Sequence, residues 1–240
     1  MEALSKLAQR ARRVTPEEEA ALLRHAPVRL QRLIIAAIET CCRLGELLTL
    51  QWKHVSLVRR ELAIRAEHAK DEEHRFLPIS DRLCGVLEMA RVGPDGQPFG
   101  PEGFVFGNAV GGYRGEPKKA WQTAVLKAHG HTPVWTKTKG LAPESQAAYE
   151  AIDLHFHDLR HEGGSRLLEA GWPIHHVQEM LGHASLDQTN TYLNAGRVEL
   201  GASMRRLDAS RCKSVAKEAH VERPPFCNDE ALEDNKSLTH

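Results

Sequence analysis

The chain has 240 residues, 41% hydrophobic and 27% charged, with 32 basic and 32 acidic residues and a formal charge of zero, which excludes a collagen-like or wholly disordered polymer and leaves room for one large domain or two small ones. No run of about 18 apolar residues marks a membrane span, and the N-terminal MEALSKLAQRARRV lacks the apolar stretch of a secretory signal, so the expected setting is the cytoplasm. Five cysteines, with Cys41 and Cys42 adjacent and no C-x-x-C spacing, predict reduced thiols rather than a disulfide framework or a zinc ribbon.

In chain order, Thr15 followed by Pro16 and Glu18 predicts an N-cap, a proline at the first helical position and a capping box. The segment PVRLQRLIIAAIETCCRLGELLTLQW has apolar residues at spacings of three and four, as two packed helices would, with Gly45 at their junction. From Val55 the pattern changes. ELAIRA alternates, KDEEH is a polar turn and RFLPI is apolar again, which together predict a β-hairpin with charge at its tip. Ser80 caps a helix to about Ala90, VGPDGQPFGPEG is a loop, and EPKKAWQTAVLKAHG is helical. Residues 130–153 read as an irregular excursion. HDLRHEGGSRLLEAG, WPIHHVQEMLGH and SLDQTNTYLN then predict three short helices separated by Gly171, Pro173 and Gly182, followed by a helix over 197–209. The tail beyond 210 is acidic and lacks periodicity, as disordered segments do. The fold class expected is mixed α+β, mainly helical, with a small antiparallel hairpin or sheet.

Charge is distributed unevenly. Residues 1–60 carry eleven Lys or Arg against six Glu, and residues 214–240 carry three against six acids. A basic front is compatible with DNA contact, although the overall pI near 7.3 argues mildly the other way.

Three polar groupings resist explanation as core or ordinary surface. Arg43 stands in one of the most apolar stretches of the chain, where a cation needs a partner; an i, i+3 pair with Glu46 is the plain reading. His157, Arg160 and His161 fall on one face of a helix. Two imidazoles and a guanidinium projected together suit an anion with oxygen acceptors, such as a phosphate, and a merely solvated basic helix start runs against the helix dipole. In LGHASLDQTNTY, Tyr192 lies nine positions after His183 among small polar residues. An exposed phenol of this kind is usually incidental, yet a cationic site can make it a nucleophile by favouring the phenolate.

Taken in order, these residues resemble the tyrosine recombinase or phage integrase family over roughly residues 14–196. The family's pattern of an arginine box, a hairpin lysine, H-x-x-R, L-G-H and a downstream tyrosine appears as Thr40-Cys-Cys-Arg43-Leu-Gly-Glu46, Lys70, His157-Asp-Leu-Arg160-His161, Leu181-Gly182-His183 and Tyr192. The resemblance implies a catalytic domain over 14–209, between a lead-in of residues 1–13 and the tail of 210–240. It implies DNA strand transfer through a 3′-phosphotyrosine, with Arg43, Arg160 and His183 on the phosphate, His157 moving a proton at Tyr192, Lys70 protonating the departing 5′-oxygen, Glu46 holding Arg43, and His161 in support. It implies double-stranded DNA as partner, self-association into a tetrameric synapse, accessory DNA-bending proteins, nucleoid association when bound, and no cofactor, metal or ATP.

Two departures stand out. Cys41 occupies the place of the family's usual glycine, which predicts slightly tighter packing. Thirteen leading residues cannot supply the usual N-terminal DNA-clamping domain, so the sequence reads as a fragment, a relic or a minimal member. A DNA-binding remnant without recombination, or a topoisomerase-like relaxer, is the rival within the fold. A metal hydrolase built on His155, His157, Asp158 and His161 is the rival outside it. The spacing of that cluster does not match, and Arg160 in its middle would oppose a dication.

Overall fold

The computed structural model describes residues 12–65, 74–138 and 140–182. The chain divides after residue 193, and the part from 194 to 240 lies outside the described residues, as do the expected helices beyond Gly182 and the acidic tail.

Helix α1 (Pro16–His25) begins where Thr15 and Pro16 place it: the Thr15 hydroxyl accepts the Glu18 N–H at 3.2 Å. The reciprocal half of the capping box is replaced, because the Glu18 carboxylate accepts hydrogen bonds from Arg12 at 2.8 and 3.2 Å instead. Helix α2 (Val28–Thr40) is the apolar centre, with Leu30, Leu33, Ile34 and Ala37 buried at helical spacing. It runs along α7 and meets α1, α3 and α4.

The junction between α2 and α3 (Leu44–Thr49) is not Gly45, which lies inside α3. The turn is made at Cys41, whose φ of 55° and ψ of 22° are left-handed. Thr40 supports it, donating to the Ala36 carbonyl at 2.6 Å and accepting the Cys42 N–H at 3.2 Å.

A short 3₁₀ turn (Trp52–His54) leads into a three-stranded antiparallel sheet of order β1-β2-β3, comprising β1 (Val55–Ser56), β2 (Glu61–Arg65) and β3 (His74–Pro78). Leu62 pairs with Leu77 and Ile64 with Arg75. The expected hairpin is therefore present, with β1 added at its edge. Helix α4 (Asp81–Ala90) is capped by the Ser80 hydroxyl, which accepts the Leu83 N–H at 3.2 Å.

After the predicted loop comes α5 (Lys118–Ala128), packed on α1. The region read as an irregular excursion holds an isolated Trp135–Leu141 bridge and a helix, α6 (Pro143–Ile152), lying against α5. Helix α7 (Phe156–Glu169) and helix α8 (Ile174–Leu181) follow, the latter closed by Gly182 at φ 63°. No helix among the described residues is long and apolar enough to cross a membrane.

Candidate active site

The arrangement begins with α7 lying close on α2. Gly163 makes the approach possible: a Cβ there would sit 2.2 Å from the Ile38 carbonyl oxygen and 2.9 Å from Cys41 Sγ. One turn earlier on the same helix is Arg160, 2% exposed. Its guanidinium donates to the Cys41 carbonyl at 2.6 Å and to the Leu181 carbonyl at 2.5 Å. It thus joins the α2–α3 turn to the end of α8, and a buried arginine is tolerable because its donors meet acceptors.

Arg43 stands two residues beyond that turn. Its backbone N–H donates to Glu46 Oε2 at 2.7 Å, so Glu46 caps the start of α3. The side chain remains 38% exposed and makes a long contact, 3.4 Å, with Glu46 Oε1. The expected Arg43–Glu46 pair is therefore mainly a backbone contact. Glu46 bonds the Arg43 backbone and leaves most of the side chain's charge unengaged by that carboxylate.

The main side-chain partner of Glu46 is Arg75 on β3, which sequence reasoning missed. Nη1 meets Oε1 at 2.7 Å and Nη2 meets Oε2 at 2.9 Å, a fork that matches a carboxylate at two points. Burial alone would raise the Glu46 carboxyl, but the Arg75 guanidinium and the Arg43 N–H outweigh it and the net shift is downward. Glu46 is an anion at neutral pH.

The His157 and His161 rings stack edge to face with centroids 4.8 Å apart. Burial lowers the His157 pKa, and Arg160 and Arg43 push it further down against the opposing pull of Asp158. The imidazole is therefore neutral near pH 7 and able to accept a proton. Both arginines act on it, which places His157, Arg160 and Arg43 in one electrostatic neighbourhood. Beneath them, burial pushes the thiol pKa up to about 12 at Cys41 and about 11 at Cys42, so both stay protonated and unreactive.

The rival metal cluster does not form. Asp158 is buried and accepts the His155 N–H at 2.8 Å as a helix cap. Among the described residues no group of three or more His, Cys, Asp or Glu is placed to hold a metal. Lys70, His183 and Tyr192 lie outside the described residues; the hairpin strands end at Arg65 and resume at His74, and α8 ends at Leu181.

A buried guanidinium on α7, a partly exposed one at the start of α3 and a neutral imidazole on α7 thus stand on a mainly helical α+β fold. The profile of the phage integrase family matches residues 12–197, and the chain belongs to that family. It is 31% identical over 206 residues to a shufflon-specific DNA recombinase of Escherichia coli, covering 84% of this chain and 44% of that protein. It is 31% identical over 151 residues to the tyrosine recombinase XerC of Haemophilus ducreyi, covering 62% and 42%. The chain spans about half the length of the curated relatives it matches. Among solved structures, the XerA recombinase superposes with a TM-score of 0.56 at 18% identity, covering 84% of this chain and 66% of that one. The catalytic domain of bacteriophage HP1 integrase gives a TM-score of 0.52 at 20% identity, covering 80% and 93%. The fold is that of these catalytic domains.

Proposed function

We propose that this chain is a site-specific DNA recombinase or integrase that cuts and rejoins double-stranded DNA through a covalent 3′-phosphotyrosine, with residues 14–209 as its catalytic domain. The observation that carries the reading is the convergence of Arg43, His157 and Arg160, tied by Arg160 to the Leu181 carbonyl two residues before His183. The Tyr192 oxygen attacks phosphorus as the bond to the 5′-oxygen breaks. The phenolic proton passes to His157, and Lys70 gives a proton to the departing oxygen. Arg43, Arg160 and His183 stabilise the charge that develops on the non-bridging oxygens.

Arg43 is accessible to a phosphate directly, whereas Arg160 at 2% exposure meets one only after the site opens, so phosphate engagement runs from Arg43 to Arg160. Because the ester conserves the bond energy, a second 5′-hydroxyl reverses the step and no ATP is consumed. A tetrameric synapse, accessory bending proteins and action at the nucleoid of the cytoplasm belong to the same proposal.

The test is a nicked suicide duplex that loses the short strand bearing the 5′-hydroxyl. The unmutated chain is expected to give a protein–DNA band on denaturing gels, in EDTA as well as in its absence, and Tyr192→Phe none. An undiminished band from Tyr192→Phe would sink the assignment; DNA binding with no band from the unmutated chain would favour the inactive remnant.

A further inference from the structure

Strand β3 carries its polarity inside out. Leu77 is buried and Phe76 is 54% exposed, so alternation turns Arg75 inward with Leu77. Its side chain is 13% exposed. An inward charge on a short strand is a costly choice, since a well-packed apolar residue of similar volume is often as stable or more so.

Three things meet at this guanidinium. The fork to Glu46 fixes the plane of the carboxylate that caps α3 and touches the Arg43 side chain. Cys42 Sγ lies 3.7 Å from Nη2, on the turn whose next residue is Arg43. The guanidinium also lies against Gly182: a Cβ there would be 2.7 Å from Nη1 and 2.9 Å from Cζ. Gly182 is favoured by its left-handed φ, and a side chain there would also press on the cation that Glu46 holds. The strand that supplies Arg75 is also the one that returns from the hairpin bearing Lys70.

We propose that Arg75 is a positioning residue for strand transfer, fixing through Glu46 the backbone from which the Arg43 guanidinium projects and setting the point from which the chain leaves Gly182 toward His183. The inference rests on the function proposed above. Lysine cannot replace it, because an ammonium offers no two-point fork to hold the carboxylate plane.

The test compares a suicide duplex carrying the ordinary scissile phosphodiester with the same duplex carrying a methylphosphonate there. In the methylphosphonate a methyl group replaces one non-bridging oxygen, so the reacting group is neutral and the demand for the Arg43 charge falls. Arg75→Gln is expected to slow adduct formation on the phosphodiester by roughly a hundredfold, the effect of a misplacement of about 1 Å, and to slow it far less on the methylphosphonate. Arg43→Ala should show the same asymmetry, and Arg75→Lys should recover little of the lost rate. Equal slowing on both duplexes would overturn the proposal, because a merely structural role has no reason to sense the charge of the phosphate. If Arg75→Gln does not fold, Glu46→Gln is measured the same way and must show the same asymmetry. Absence of adduct from the unmutated chain defeats the functional reading and this one together, whereas adduct with symmetric slowing defeats only this one.

Discussion

At Cys41 the backbone adopts a conformation that side chains resist. A left-handed non-glycine residue costs about 1–2 kcal/mol, and here the strain is held by the Cys41 carbonyl bonded to Arg160 and by Sγ packed at Gly163. Replacing Cys41 by glycine removes the strain and also a buried group worth about 1 kcal/mol, so Cys41→Gly should lie within about 1 kcal/mol of the unmutated chain in urea denaturation. Cys41→Val puts a β-branch on the same φ and should cost at least about 2 kcal/mol; a valine variant as stable as the original would show that the turn is not strained. The sequence alone offered a different reason for this position, tighter packing, because backbone angles are invisible in it. Arg75 was missed for a related reason. The alternation Arg75-Phe76-Leu77 reads equally well with the aromatic residue inside, and only Glu46, 29 positions away, decides that the charge goes in.

Among the elements, α7 is placed by its glycine. In an isolated helix Gly163→Ala would be stabilising by about 1 kcal/mol. Against α2 the sign reverses, because the added carbon cannot share space with the Ile38 carbonyl and the helices must separate. A net loss of about 2 kcal/mol is expected, lowering Tm by roughly 4–8 °C in a chain of this size, and cleavage should fall with it because Arg160 rides on the same helix. A Tm that rises would show that the contact is loose. Helices α1, α2 and α4 were legible from caps and apolar period. Helix α6 was not: its inner face is thin, with Ser145 buried and only Tyr149 and Ile152, both half-buried, packed on the core, although Pro143 and Glu144 stood in the places where a helix start wants them.

Over the whole molecule, a chain of ion pairs runs along the flank of α7. Glu162 accepts from Arg13 at 2.7 Å, Arg166 at 2.8 Å and the Val14 N–H at 3.1 Å. Arg166 continues to Glu19 at 2.7 Å, and Glu19 to Arg82 at 2.6 Å. Burial alone would raise the Glu162 carboxyl, but Arg13, Arg166 and the Val14 N–H take it below the usual carboxylate value. Its stabilisation is therefore complete above about pH 4.3 and is lost as pH falls through the depressed folded value. Glu162→Gln should flatten that part of the acid-unfolding profile, and at neutral pH it should cost about 1–3 kcal/mol, discounted because both arginines are partly in water. An unchanged acid profile would assign the pH dependence to other carboxylates. The same arrangement has a mechanical side. Arg12 is fastened to Glu18 on α1 and to the Ile152 carbonyl at the end of α6, and Arg13 to Glu162 and Glu169 on α7, so a pull on the polypeptide ahead of residue 12 is shared among α1, α6 and α7. Tension at the amino end would reach, as through a short lever, the helix that holds His157 and Arg160.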